Sequence, residues 1–474
     1  MAAATLLLGV LLSPSSSAGD WTLTPRVTVS ETYSDNVSLA ADGSQRHDFI
    51  TDVNAGLSLH GEGRRLRMDA DYNLQQVLHL RETGSNELHH QWQISGDAEL
   101  IERIVFLDAR TTMSQLNGAN TGRIGEDNLT TDARGDAFTF SVSPSMRHRF
   151  GRWADTELRL TYDTVTNDSG TADTNSESYR AETTIGSGRR FQRMPWSLTA
   201  LRSTITNTDD SESKFASVNG EVSYVVSRKL LATAGAGYDD NEFASGGNET
   251  DGLRWSVGGT WTPTPRTSVG LGFEKRFFDD TYFFDLTHQS RRTRWSASYR
   301  ESLTTSRQEQ LDRVLVPLQD EFGEPIEDPV SGDLVVVPIN FVVPTDEVIV
   351  IRAFNGAVAF TGRRTSATLT MTRSERTFQS TNDEETQTAA TVRLSHSLSS
   401  RLSASSSLGW RLSEPRTGTG SGEETRWTFD AAVNYALSSR ATGRLSYGYI
   451  TQEDDGAASD FDENRLVASL NVRF

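Results

Sequence analysis

The chain closes on a segment that alternates with a period of two. Leu466, Ala468, Leu470, Val472 and Phe474 share one parity, and Arg465, Ser469, Asn471 and Arg473 fall between them. Residues two apart lie on one face of an extended strand. The same alternation recurs along nearly the whole chain. Leu66, Met68, Ala70, Tyr72 and Leu74 alternate with Arg65, Arg67, Asp69, Asp71 and Asn73. Leu158, Leu160 and Tyr162 alternate with Arg159, Thr161 and Asp163, and Leu253, Trp255 and Val257 oppose Arg254 and Ser256. Trp427, Phe429, Ala431 and Val433 oppose Thr428, Asp430 and Asn434, while Leu445, Tyr447 and Tyr449 oppose Arg444 and Ser446. One apolar and one polar face, strand after strand, is the pattern of a wall with different media on its two sides. Counted this way, the chain holds about 22 strands of roughly 11 to 15 residues.

The connections alternate as well. Short ones include Gly61-Glu62-Gly63, Gly151-Arg152, Ser227-Arg228-Lys229, Ser290-Arg291-Arg292, Gly362-Arg363-Arg364, Ser399-Ser400-Arg401 and Ser438-Ser439-Arg440. Between them fall longer polar segments: 34–47, 117–135, 166–176, 241–250, 416–423 and 453–461. An outer-membrane barrel has short periplasmic turns and longer outer loops. Soluble sandwiches, the competing all-β architecture, have no reason to alternate loop length. The expected fold is therefore all-β: a single transmembrane antiparallel barrel of the outer-membrane type, about 22 strands in residues 19–474, with both chain ends periplasmic. The short turns carry arginine, whose planar fork suits lipid phosphates. The long loops are acidic, as in Asp209-Asp210-Ser211-Glu212 and Glu453-Asp454-Asp455, and divalent cations can bridge such loops to lipopolysaccharide. Both features also fit plain solvation of hairpin ends.

Composition narrows the function classes. Mean hydropathy is -0.48 and no apolar run is long enough to cross a bilayer as a helix, a test that a barrel wall escapes. There is no cysteine, which excludes thiol catalysis and disulfides. A net charge of -18 makes nucleic acid an unsuitable partner. Thr5–Leu12 is a short apolar run, and Ser16-Ser17-Ala18 offers small residues for cleavage after Ala18, so residues 1–18 are expected to be a signal peptide. Its n-region lacks Lys and Arg, which points to a start further upstream or to a weak signal. No hydrolase elbow, phosphate loop or zinc pattern occurs, and no cofactor or metal site is expected. His89 and His90 are adjacent and so face opposite sides of a strand, while His288 and His396 stand alone.

Residues 306–346 differ from every other connection. They hold five of the twelve prolines (Pro317, Pro325, Pro329, Pro338 and Pro344) and the acids Asp320, Glu321, Glu324, Glu327, Asp328 and Asp333. Proline disfavours a membrane strand, so this segment is expected to leave the wall, outward or into the lumen. On the polar parity the pore-lining candidates are Arg67, Asp69, Asp71, Asp108, Arg110, Arg159, Asp163, Arg254, Glu274, Arg294, Arg393, Arg411, Asp430 and Arg444. Charges within a wall need water or each other. They read either as a structural ion-pair network or as a hydrophilic path for a polar polymer. A siderophore-type transporter of this strand number is expected to carry an N-terminal plug. Strand one begins near Trp21, which argues against energised import of a small ligand.

Two stretches resemble the outer-membrane β-barrel family associated with the PEP-CTERM/exosortase system of exopolysaccharide-producing Gram-negative bacteria. They are Trp21-Thr22-Leu23-Thr24-Pro25 with Glu31–Val37, and Trp261–Thr267 followed by Arg276–Tyr282 and His288–Trp295. The resemblance implies an outer-membrane protein linked to exopolysaccharide production, with no defined catalytic residues. The expected function is export or surface assembly of an extracellular polysaccharide, anionic or neutral. The alternatives are a structural or adhesive surface barrel and a barrel-embedded enzyme. Expected partners are outer-membrane lipids, lipopolysaccharide, and the barrel-assembly machinery, which is expected to read the last strand ending in Phe474.

Overall fold

The computed structural model describes residues 19–82, 85–117, 134–168, 175–244, 250–305, 307, 308, 311, 347–416, 422–455 and 460–474. Residues 1–18, expected from the sequence to be a signal peptide, lie outside them, as does most of 306–346. The described chain is a meander of 22 antiparallel strands, from β1 (Asp20–Ser34) to β22 (Phe461–Arg473). Each strand pairs with its neighbours in sequence, and β1 pairs with β22, Arg26 facing Arg473 and Ser34 facing Arg465. The sheet is therefore closed and has no free long edge. Closure gives every strand a partner on both sides, which strands in hydrocarbon require. At the seam, Phe474 N–H donates to the Pro25 carbonyl at 3.0 Å. The opposite end of the seam is clasped by Ser34 Oγ on Glu463 Oε1 at 2.6 Å and by Asn464 Nδ2 on Asp35 Oδ2 at 2.8 Å.

Strand length varies more than the alternation suggests. β13 (Thr267–Lys275) has nine residues and β6 (Arg134–Phe150) has seventeen. Short turns do follow even-numbered strands, as at 63–65, 151–153 and 290–292. However, the connection after β8 (Ser176–Ser187) is longer, 188–195 with a 3-10 turn at Arg189–Phe191, and 208–211, 276–279 and 379–383 are tight connections on the long side. Pro144 is accommodated within β6 where the β6–β7 ladder skips from Val142 to Ser145.

Register fixes the two faces. Leu445 and Tyr447 pair with Ala468 and Leu466 on the outside, where Leu445 is 54% exposed. Arg444 and Ser446 pair with Ser469 and Val467 on the inside. Exposed Leu, Val, Tyr and Trp side chains ring the exterior, among them Leu158, Leu160, Leu253, Trp255, Trp261, Trp295 and Trp427. In water such a surface would be far too large for a monomer; in a bilayer it is the required one. Close approach explains one glycine: the Trp21 ring lies over Gly61 of the facing strand, where a Cβ would come within 2.2 Å of it.

Candidate functional site

The site is the inner face of the barrel, and register places every sequence candidate on it. Arg67, Asp97 and Asp108 lie level on β3 (Leu66–His79), β4 (Glu87–Ile101) and β5 (Val105–Asn117). Asp69, Ser95 and Arg110 are level one pleat further on. Arg159 on β7 (Ala154–Asp168) reaches Asp108 at 2.8 Å and Glu157 at 2.9 Å. Arg67 meets Asp69 at 3.4 Å, and Arg26 meets Asp71 at 3.7 Å. Arg254 on β12 (Asp251–Thr264) meets Glu274 at 2.9 Å and Asp239 at 3.5 Å. Arg393, Ser407 and Asp430 form one level row on β18 (Glu384–Ser397), β19 (Leu402–Glu414) and β20 (Glu424–Ala436), with Ser407 donating to Asp430 at 3.3 Å. Arg411 faces Arg426 across β19 and β20, Arg444 pairs with Asn434, and Arg294 lies near the turn end of β15 (Thr293–Thr305). The paired charges thus form several separate groups around the wall and do not converge on one centre. Among the described residues, no group of His, Asp and Glu is arranged to hold a metal ion.

The extracellular end is built differently. Polar and apolar side chains there are buried on the inner face. The connection after β1 turns inward: Asn36, Val37 and Leu39 are buried. Val37 packs on Ile50 and Val77, and Leu39 packs on Ile450 and Phe461. Asn36 locks this turn, donating to the carbonyls of Ala40 at 2.8 Å and Asp462 at 2.9 Å. The mouth therefore carries an apolar collar from Ile50, Val77, Ile450 and Phe461, residues on the inward parity. Alternation alone gives no sign of this. The available signal is an apolar residue on both parities near a strand end, as at Phe49-Ile50 and Val348-Ile349-Val350, all three of the latter buried.

The chain just past β15 also enters the lumen. Arg307 donates from Nη1 to Asp163 Oδ1 at 2.8 Å, from Nη2 to the Asp163 carbonyl at 2.7 Å, and from Nε to Ser176 Oγ at 2.8 Å. Next to it, Arg180 of β8 donates to Gln308 at 2.9 Å. Both side chains of the Arg307–Asp163 pair are 7% exposed. In a circular barrel of 22 strands spaced ~4.8 Å and tilted about 40°, β7 and β15 would stand roughly 40 Å apart. Two residues span at most about 7 Å, and an arginine side chain with its partner adds little more than that again. The wall is thus drawn in at this end, narrowing the lumen between β7–β8 and β15.

Outside the mouth, Arg416 ties the loops together. It donates to Asp383 at 2.7 Å, to both oxygens of Glu347 at 2.8 and 3.2 Å, and to Thr381 at 2.8 Å, and it covers the Phe378 ring at 4.4 Å. The Arg416 hydrogen bond, helped by Thr381, holds the Asp383 carboxyl below the usual carboxylate range. At the other rim, His288 and His396 bond Thr267 at 2.9 Å and Thr365 at 2.7 Å, a packing role.

No family model matches this chain, and no curated protein matches it. Solved structures do. The siderophore receptor PirA from Acinetobacter baumannii superposes with a TM-score of 0.53 at 11% identity, over 95% of this chain and 80% of that one. A variant of the ferric enterobactin receptor from Pseudomonas aeruginosa gives 0.53, 11%, 95% and 80%. The ferric-catecholate import receptor Fiu from Escherichia coli K12 gives 0.52, 10%, 97% and 82%. Identity this low carries the architecture and not the ligand. The fold is that of an outer-membrane β-barrel, and with its apolar exterior the chain belongs in a bacterial outer membrane.

Proposed function

We propose that this barrel serves the export or surface assembly of an extracellular polysaccharide, with no chemistry of its own. The observation that carries the reading is the inner face. Its charges are largely matched in pairs, such as Arg159 with Asp108, Arg254 with Glu274, and Arg300 with Asp285 at 3.1 Å. Between the pairs run rows of hydroxyls, for example Ser403, Ser405 and Ser407 beside Ser395 and Thr391. A wall of this kind offers many weak hydrogen bonds and few fixed net charges. A hydroxyl-rich polymer can exchange such bonds for water as it slides, with no deep trap along the way. The resemblance of the opening and Trp261–Trp295 segments to exopolysaccharide-associated barrels supports the same reading.

One observation favours a second reading, uptake of a small ligand: the apolar collar and the Arg307 anchor narrow the extracellular end. A deletion strain separates the two. Loss of cell-surface polysaccharide, restored by the wild-type gene, is expected from the export reading. Intact polysaccharide with lost growth on a ferric siderophore under iron limitation would replace it with uptake.

A further inference from the structure

Among the described residues of the outer face, Arg202 is an arginine with no carboxylate beside it. On β9 (Trp196–Asn207) the outward residues run Trp196, Leu198, Ala200, Arg202, Thr204 and Thr206 from the periplasmic side. Arg202 is level with Ala181 on β8 and Ala216 on β10 (Glu212–Ser227), both outward. One pleat further on, Thr204 is level with Tyr179 and Lys214. On all three strands the apolar exterior thus ends at the Arg202 level and polar side chains begin above it. Eight residues separate Ala216 from Tyr224, a rise of roughly 20 Å in a tilted strand. An apolar band of about 25 Å puts Arg202 at the outer-leaflet edge.

Arg202 is exposed, and among the described residues it has no ion pair or hydrogen bond. Its level neighbours are alanines, and no acid flanks it on its own strand or diagonally. Arg373 has a similar outward position on β17 (Thr365–Phe378), but beside it Arg352 gathers three carboxylates, Glu375, Glu301 and Asp279, each at 2.9 Å, so acids outnumber the guanidinium that binds them. Beside Arg202, Lys214 lies diagonally across one strand pair, a separation of roughly 7–8 Å. Lys214 is held between Glu242 at 3.2 Å and Glu212 at 3.5 Å, so its charge is already matched. Tyr179 is 60% exposed and stands against Tyr162, ring centroids 5.0 Å apart. The cluster offers a forked cation, the Thr204 hydroxyl and an aromatic ledge, all at headgroup depth.

We propose that Arg202, with Thr204, binds the phosphate of a phosphorylated glycolipid of the outer leaflet. The guanidinium fork suits phosphate oxygens, and the tyrosine pair offers a flat face to the adjoining sugar. The depth is what selects this lipid: a cation at this edge snorkels toward the extracellular side, where the phosphorylated sugar headgroup lies.

The test uses the purified full barrel in phosphatidylcholine nanodiscs, titrated with diphosphorylated lipid A and read by native mass spectrometry of retained lipid. Arg202→Leu is expected to lower lipid A retention at least tenfold, and Arg202→Lys to keep part of it. The leucine is an apolar change on the lipid face and should not hinder folding, which heat-modified gel mobility checks. Lipid A stripped of phosphate should not be retained by the wild type. Equal retention by wild type and Arg202→Leu would overturn the site. Equal retention of phosphatidylglycerol and lipid A would overturn the glycolipid assignment in favour of any headgroup phosphate.

Discussion

The Arg307–Asp163 pair provides the sharpest test of how the extracellular end is closed. Arg307 lies two residues past β15, and its guanidinium makes three hydrogen bonds with Asp163 and Ser176, in a setting where both charged side chains are 7% exposed. Removing one partner of such a buried pair leaves an uncompensated charge, at a cost of about 3–5 kcal/mol. Asp163→Ala strands the guanidinium, so the local segment should detach while the ladder between β7 and β8 persists. Arg307 is itself a tryptic site, and cleavage of a transiently opened segment follows the population of the open form. Each 1.4 kcal/mol is a factor of ten, so cutting after Arg307 should accelerate by roughly two to three orders of magnitude. The assay is brief trypsin treatment of the folded barrel in micelles, with the fragment beginning at Gln308 quantified by mass spectrometry. Asp163→Asn keeps the shape and one acceptor, and should fall between the two. If Asp163→Ala and wild type are cut after Arg307 at the same rate, the anchor across the lumen does not exist as described.

Three further outcomes follow from the same geometry. Leu445→Arg puts a charge on the lipid face at a cost of roughly 2–4 kcal/mol near mid-membrane, whereas Ser446→Arg faces the lumen; refolding yield into vesicles should drop for the first only, and equal yields would contradict the register. Because its bond with Arg416 depresses the Asp383 carboxyl, the loop clasp should be fully formed above the unfolded value of about 3.9 and be lost as pH falls through the lower folded value. A nitroxide at Gln379 should therefore stay immobile from pH 8 to 5 and loosen only in stronger acid; loosening already between pH 8 and 5 would refute the clasp. Deleting Phe474, 66% exposed at the end of the outward row, should reduce outer-membrane levels, with rescue by Tyr or Trp and not by Ala; normal levels would make it one more lipid-facing side chain.

The wall was legible in the sequence because its signal is local. Lipid on one side and water on the other give adjacent residues opposite requirements, so Leu445 and Ser446, or Trp255 and Ser256, declare their faces from their immediate neighbours. Strand count and the inward parity of residues such as Arg159 and Asp430 follow from that alone. The extracellular third obeys a different rule. There the inner face meets folded chain instead of water, and Ile50, Val77 and Phe461 are apolar where alternation expects polarity. The segment after β1 reads as a polar outer loop because Ser, Asp and Gly dominate it, yet Val37 and Leu39 within it are buried in the mouth. Arg307 was hidden for another reason: its partner lies 144 residues earlier on a distant strand. Periodicity states which side of the wall a residue faces and carries no information about which part of the wall stands opposite. In a barrel of 22 strands that second relation decides whether the lumen is wide or narrow, so the dimensions of the conduit depend on the few residues that reach across it.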